Sequence, residues 1–245
     1  MSEEHRITIN GNSLSFDPGQ TVLEVARQHH IDIPTLCWLK GAVPNGACRI
    51  CVVEVKGARS LLPSCSTPAG DNMEVQTETA AVVKARKLIL QLLLSSGNHN
   101  CAVRGSDGQD WTQFQLNVQK DDGSQELCPV WGDCRLQDLA YRYQVSGELF
   151  AATDTPYPME TVNPFIVRDF SRCIQCGRCV QACNEVQVNR AISLGYRGKD
   201  AKIVAGGDRP LIEDIAAADA SLLQLIDPGD FSPEQLDLEL RSLVS

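Results

Sequence analysis

The cysteines of this chain fall into three compact groups, and a histidine beside the second group completes three sets of four candidate ligands. The first set is Cys37, Cys48, Cys51 and Cys65; the second is His99, Cys101, Cys128 and Cys134; the third is Cys173, Cys176, Cys179 and Cys183. Iron–sulfur clusters are held by sets of four such ligands. No cysteine is left over, so the sequence predicts three iron–sulfur sites.

A disulfide scaffold and zinc sites are the alternatives. Disulfide frameworks are typical of short secreted chains with an even number of cysteines, whereas this chain has 245 residues, 11 cysteines and a start unlike a signal peptide. Zinc is the stronger alternative, because C-x2-C pairs also form tetrahedral zinc sites. The third group has the bacterial ferredoxin spacing C-x2-C-x2-C-x3-C, which favours iron.

Composition and missing motifs exclude several functions. A formal charge of -9 with no basic run argues against nucleic acid as a partner. The longest apolar stretch, residues 88–94, is interrupted by Gln91 and is far shorter than a membrane span. No G-x-G-x-x-G loop for a dinucleotide occurs, and no cysteine remains as a nucleophile. We therefore expect a cytoplasmic chain whose substrate chemistry lies on other subunits.

Local patterns indicate the elements that hold the first group. Residues 5–16 alternate around Asn10-Gly11, which predicts a β-hairpin. Thr21 and Glu24 form a capping box that begins a helix from Val22 to His29. A β-branched run then predicts a strand directly after Cys51.

Helices are expected on either side of the other two groups. The run from Ala80 to Ser95 has an apolar face and contains no Gly or Pro, which predicts a helix that ends at Gly97. After Gly206-Gly207 the chain has no candidate ligand, and Ser232, Pro233 and Gln235 indicate the start of a final helix. The apolar face of that helix could pack internally or on a partner.

The first group resembles the N-terminal domain of the large iron–sulfur subunit of respiratory complex I and its hydrogenase relatives. The resemblance rests on the spacing C-x10-C-x2-C-x13-C and on the order strand, hairpin, strand, helix, cysteine loop. Plant-type [2Fe-2S] ferredoxins share that order of elements, although their first cysteine interval is shorter. The resemblance implies a β-grasp fold and a [2Fe-2S] cluster on Cys37, Cys48, Cys51 and Cys65.

The second group resembles the His/Cys3 [4Fe-4S] site of complex I and of the diaphorase iron–sulfur subunit of NAD-reducing hydrogenases. In those proteins the second cysteine follows the first by C-x2-C, but position 104 here is Arg. The resemblance implies that His99, Cys101, Cys128 and Cys134 are the ligands, with the second cysteine displaced by an insertion at 102–127. That insertion could be a solvated loop or a docking loop carrying Trp111 and Phe114.

The third group resembles the first half of a two-cluster ferredoxin domain whose second half is missing. In that family the fourth cysteine of a run often ligates the other cluster, but no cysteine follows Cys183 here. Cys183 could close its own [4Fe-4S] cluster, the fourth ligand could be another residue type, or the site could hold three irons. We expect Cys183 to be the ligand.

The predicted fold class is α+β, in four parts. These are a β-grasp [2Fe-2S] domain at 1–78, a helical His/Cys3 [4Fe-4S] domain at 79–150, a truncated ferredoxin-like [4Fe-4S] domain at 151–206 and a helical tail at 207–245. Three clusters without a substrate pocket indicate an electron conduit. The resemblance implies an electron-transfer subunit of an NAD(P)H-linked oxidoreductase that relays electrons between a flavin/NAD(P)-binding subunit and a catalytic subunit.

The catalytic subunit could be a hydrogenase, a formate dehydrogenase or an electron-bifurcating reductase of the benzoyl-CoA type, because all of these complexes share such a part. Two other functions remain open. The chain could be a freely diffusing multi-cluster ferredoxin, which its acidic composition permits, or a redox-sensing binding protein.

Overall fold

The structure is a computed structural model that describes residues 5–96, 133–145, 149–151, 157–162, 167–206 and 208. His99, Cys101, Cys128, the insertion 102–127 and the tail from 209 onward lie outside the described residues. The predictions made for those segments stay predictions.

The chain opens with the predicted hairpin. Strands β1 (His5–Ile9) and β2 (Asn12–Phe16) pair antiparallel, with Ile7 opposite Leu14. Asn10 and Gly11 both have positive φ, at 52° and 84°, which is the backbone of a type I′ turn.

The first helix has the predicted capping box. Helix α1 (Val22–Gln28) begins where the Thr21 hydroxyl accepts from the Glu24 amide and the Glu24 carboxylate accepts from the Thr21 amide. Such a cap stabilises a helix by about 1 kcal/mol. The helix ends one residue earlier than predicted, with His29 as its C-cap.

A five-stranded mixed sheet forms the first half of the fold, in the order β2-β1-β5-β3-β4. Its remaining strands are β3 (Val52–Val55), β4 (Leu62–Pro63) and β5 (Glu74–Gln76). Strand β5 pairs parallel to β1 and antiparallel to β3, so it joins the opening hairpin to the strand that follows the first cysteine loop. The sequence carries no visible signal for β5, because three residues are too few to show alternation.

The apolar core of this half lies between the sheet and α1. Its centre is made of fully buried aliphatic side chains, namely Ile7, Ile9, Val22, Leu23, Val25, Val53 and Val75. Cys51 and Cys65 belong to the same core. Two of the first four candidate ligands are therefore enclosed in apolar surroundings.

A second core lies around two helices. Helix α2 (Ala80–Ser95) is capped by Thr79, and it contacts both β3 and α3 (Arg135–Tyr143). Its buried positions include Val82, Arg86, Leu90 and Leu94, which follow one another at intervals of four and so share a face.

The third cysteine group is followed by a small hairpin. A short 3-10 turn (Phe170–Arg172) precedes Cys173, helix α4 (Arg178–Gln181) carries Cys179, and a π-helical turn (Ala182–Val186) carries Cys183. Strands β6 (Ile192–Gly195) and β7 (Lys202–Ala205) then pair antiparallel around a 3-10 turn at Gly198–Asp200.

Helices and sheets together confirm the α+β class. None of the helices that the structure describes is long and apolar enough to cross a bilayer.

Candidate metal centres

The first cysteine group lies where α1, the following loop and β3 meet. Cys37, Cys51 and Cys65 are buried and Cys48 is partly buried. The first backbone amides of α1 bind the segment that carries Cys65. Leu23 donates to the carbonyl of Ser64, directly before Cys65, and Val22 donates to the carbonyl of Thr67, two residues after it.

The four thiols form two contacting pairs. Cys37 pairs with Cys48, and Cys51 pairs with Cys65. The hydrogen bond from Cys37 lowers the pKa of Cys48 to about 6, and the hydrogen bond from Cys65 lowers the pKa of Cys51 to about 7. The same hydrogen bonds, with burial, raise the pKa of Cys37 and Cys65. Within each pair, one sulfur donates a hydrogen bond to the other.

This arrangement fits a two-iron cluster. A [2Fe-2S] cluster has four thiolate ligands, two on each iron, and the structure supplies two pairs of thiols. Among the described residues, no three histidine, cysteine, aspartate or glutamate side chains converge on one ion position.

The third group brings three of its cysteines close together. Burial raises the pKa of Cys173 and Cys179, and the charge of Cys176 raises both further. The Gln175 amide lies 3.4 Å from the Cys173 sulfur and donates to it, which is the kind of contact that tunes a cluster sulfur. Gly177 turns the chain into α4 with φ of 73°.

Cys183 lies beyond these three, on the π-helical turn, where its carbonyl accepts from the Asn189 amide. A π-helical turn shifts the following side chains relative to an α-helix, and such turns are frequent at functional sites. The turn therefore decides the direction of Cys183 relative to Cys179.

Of the second group, the structure describes only Cys134. Cys134 is the N-cap of α3 and packs against the second core. His99, Cys101 and Cys128 lie outside the described residues, so this ligand set stays a prediction.

One apolar core contacts all three cysteine groups. The second core contains Leu90 and Leu139, and the partly buried residues packed against it include Cys48 of the first group, Cys134 of the second and Ile174 of the third. One cysteine of the first group, one of the second and the residue after Cys173 therefore pack against the same core.

Hydrogen bonds also join the first loop to the third group. The Val43 backbone amide donates to the Glu185 carboxylate at 2.7 Å, and the side-chain amide of Gln181 donates to the Val43 carbonyl. The Asn45 side chain donates to the Cys176 carbonyl at 3.0 Å. We define this set of contacts, between 43–45 and 176–185, as the loop bridge.

Neither Arg86 nor the loop bridge is among the features predicted from the sequence. Arg86 could have been noticed in the sequence, because it lies on the apolar face of the predicted helix. A charged residue there is expected to have a buried hydrogen-bonding partner. Asn45 and Glu185 had no visible signal, since their partners Cys176 and Val43 lie 131 and 142 positions away in sequence.

Two segments of the chain match known protein families. Residues 2–80 match the family described as 2Fe-2S iron-sulfur cluster binding domain. Residues 163–217 match the family described as NADH-quinone oxidoreductase subunit 3, ferredoxin-like domain. These two matches cover the first and third cysteine groups.

One solved structure decides the family. A chain in the crystal structure of a NAD+-reducing [NiFe]-hydrogenase in the H2-reduced state aligns with a TM-score of 0.68 and 31% identity, over 85% of this chain and 78% of that one. The chain belongs to the iron–sulfur subunits of NAD(P)-linked hydrogenases and complex I. The resemblance inferred from the cysteine spacing is thereby confirmed.

Curated members of this iron–sulfur subunit family include two hydrogenase subunits. The NADP-reducing hydrogenase subunit HndD of Solidesulfovibrio fructosivorans is 35% identical over 85% of this chain and 32% of its own length. The NAD-reducing hydrogenase HoxS subunit gamma of Cupriavidus necator is 28% identical over 81% of this chain and 74% of its own length. This chain spans only about a fifth to a third of the first curated relatives that it matches.

Proposed function

We propose that this iron–sulfur subunit relays electrons between a flavin/NAD(P)-binding subunit and a catalytic subunit of a multisubunit NAD(P)H-linked oxidoreductase in the cytoplasm. The observation that carries the proposal is the second core, which contacts Cys48, Cys134 and Ile174. A relay needs its centres held close together and fixed, and a shared packed core does both because protein interiors are close-packed.

The proposed cofactors are one [2Fe-2S] cluster and two [4Fe-4S] clusters. The [2Fe-2S] ligands are Cys37, Cys48, Cys51 and Cys65. The [4Fe-4S] ligands are His99, Cys101, Cys128 and Cys134 at one site and Cys173, Cys176, Cys179 and Cys183 at the other. Bound clusters supply one-electron redox centres, whose potentials depend on ligand type, hydrogen bonds to sulfur and burial.

We further propose that the parts follow the boundaries expected from the sequence, with a β-grasp domain at 1–78, a His/Cys3 domain at 79–150, a ferredoxin-like domain at 151–206 and a tail at 207–245. The strand order β2-β1-β5-β3-β4, with α1 against one face, supports the β-grasp assignment.

The residues of the chain have definite tasks in such a relay. Burial of Cys37, Cys51 and Cys65 keeps water away from the first site, which strengthens every charge interaction there. The Gln175 amide offers the third site a donor to sulfur. The loop bridge holds the first loop against the third group and so keeps the distance between those two sites constant.

Anoxic purification of the tagged chain from its host tests the relay. We expect it to retain a flavin- and NAD(P)-binding companion and a catalytic subunit, identified by mass spectrometry at constant stoichiometry. The catalytic companion would distinguish hydrogenase, formate dehydrogenase and benzoyl-CoA reductase types. Elution of the chain alone with its clusters intact would contradict the proposal and favour a diffusing ferredoxin.

A serine variant tests the fourth ligand of the third site. We expect Cys183→Ser to abolish the normal [4Fe-4S] EPR signal of that site, as Cys176→Ser should in a parallel control. Retention of the signal in Cys183→Ser alone would show that another group closes the cluster.

A further inference from the structure

Arg86 is a fully buried charge beside the first cysteine group. It lies on the apolar face of α2, between Val82 and Leu90, and its relative exposure is 0%. Burying a charge is costly unless the charge is paired and hydrogen-bonded. An arginine at this position therefore needs hydrogen-bonded partners that offset the free energy of its desolvation.

The guanidinium finds four hydrogen bonds. Its Nε donates to the Ile50 carbonyl at 3.0 Å, and one terminal nitrogen donates to the Val52 carbonyl at 2.9 Å. The other terminal nitrogen donates to the Glu78 carboxylate at 2.7 Å and to the Tyr143 hydroxyl at 2.8 Å. The planar fork of arginine can serve all of these acceptors, whereas a lysine ammonium could not.

The two carbonyls that accept from Arg86 belong to Ile50 and Val52, the residues directly before and after Cys51. The carbonyl of Cys51 itself is held by another residue, because both the amide and the hydroxyl of Ser64 donate to it, at 3.1 and 2.8 Å. Ser64 directly precedes Cys65. Arg86 and Ser64 thus fix the backbone that presents Cys51 to its partner thiol.

The charge of Arg86 is only partly neutralised. Glu78 is its one carboxylate contact within the described residues, and the Glu78 side chain is 44% exposed, so solvent screens it. Tyr143 adds a neutral contact from α3, the helix whose N-cap is Cys134. The buried end of the ion pair of Arg86 with Glu78, beside the first site, is therefore the positive one.

We propose that Arg86 is a positioning residue that also raises the reduction potential of the proposed [2Fe-2S] cluster. The inference rests on the cluster assignment under the proposed function. Reduction adds one negative charge to the cluster, and a buried permanent cation nearby favours the form with more negative charge. The four hydrogen bonds hold that cation in place and hold Cys51 with it.

Three substitutions separate the effect of the Arg86 charge from the effect of its hydrogen-bond geometry. Each is made in the full chain, which is purified anoxically with its clusters. Arg86→Gln removes the charge, Arg86→Lys keeps it but loses the fork, and Glu78→Gln removes the counter-charge. An EPR-monitored redox titration gives the midpoint potential of the [2Fe-2S] signal in each. We expect Arg86→Gln to shift that potential down, Glu78→Gln to shift it up, and Arg86→Lys to keep it close to the parent while its EPR spectrum broadens.

Arg142 supplies the matched control. It also contacts Glu78, at 3.4 Å, but its side chain is 39% exposed. We expect Arg142→Gln to shift the midpoint potential far less than Arg86→Gln does, because solvent screens the exposed Arg142 charge but not the buried Arg86 charge.

The outcomes distinguish this inference from the cluster assignment. If the parent chain shows no [2Fe-2S] signal, the cluster assignment fails. If the parent shows the signal but the Arg86→Gln and Glu78→Gln potentials do not move in opposite directions, the role of Arg86 is overturned. Should Arg86→Gln fail to fold, the upward shift in Glu78→Gln, with Arg86→Lys near the parent, still decides the question.

Discussion

Gly177 lies where the third cysteine group meets the loop of the first. Its φ is 73°, and a Cβ added there would come within 2.8 Å of the Asn45 amide nitrogen. That nitrogen donates to the Cys176 carbonyl, so it cannot move without breaking a contact of the loop bridge. Glycine is therefore favoured at this position for two separate reasons, backbone conformation and space.

We expect Gly177→Ala to destabilise the chain more than Gly198→Ala does. Both variants place alanine at positive φ, which costs about 1–2 kcal/mol. Gly198 has φ of 61° but open space around its Cβ position. Gly177→Ala should cost about 1 kcal/mol more, for the lost hydrogen bond. Anoxic thermal unfolding followed by circular dichroism compares them, and equal midpoints would contradict the packing argument.

At the scale of elements, Lys202 of β7 anchors the small hairpin to the segment that leads into Cys173. Its ammonium lies 4.3 Å from the ring centre of Tyr157 and 5.5 Å from that of Phe170. It also pairs with Asp208 at 2.7 Å, and its side chain is mostly buried. Because Phe170 begins the short turn before Cys173, this cation helps to hold the hairpin against the third site, as does the Gln175 side chain, which donates to the Ala201 carbonyl at 2.9 Å.

Replacing Lys202 with methionine should loosen the hairpin. We expect Lys202→Met to lower the free energy of unfolding by about 1–2 kcal/mol, since a partly desolvated cation–π contact is lost. Lys199 is the control: it precedes Asp200 and pairs with it, but its side chain is 75% exposed. Lys199→Met should change the unfolding midpoint little. A similar loss in both variants would mean that the aromatic contacts do not stabilise the hairpin.

At the scale of the whole molecule, the second core makes the three candidate sites interdependent. Leu90 is fully buried in this core, whereas Leu92 on the same helix is 47% exposed. A cavity at Leu90 would weaken the packing around Cys48, Cys134 and Ile174 together. A substitution that leaves a cavity at Leu90 should therefore weaken the packing at all three sites.

We expect Leu90→Ala to cost about 2–5 kcal/mol and to lower the iron retained at all three sites after anoxic purification. Leu92→Ala should stay within about 0.5 kcal/mol of the parent, as exposed substitutions usually do. Iron analysis and the separate EPR signals of the clusters measure the effect. Loss of iron from one site only would contradict a shared core.

The sequence by itself determined the local elements and the sets of candidate ligands. The Asn10-Gly11 hairpin, the capping box of Thr21 and Glu24, and the helix from Ala80 to Ser95 all follow from contacts within a few residues, and the structure has each of them. The resemblance inferred from the cysteine spacing was confirmed as well. Cysteine spacing can be read directly from the sequence, because it does not depend on how the chain folds.

Only the tertiary structure decided how the parts meet. The loop bridge and the hydrogen bonds of Arg86 to Ile50, Val52 and Tyr143 join residues far apart in sequence. The thiol pairs Cys37–Cys48 and Cys51–Cys65 lie closer in sequence, but no local pattern indicates which thiols will meet. The short strand β5 becomes a strand only because β1 and β3 lie on either side of it. Such contacts depend on the complete packing of the chain, because no local pattern encodes which distant surfaces will be buried together.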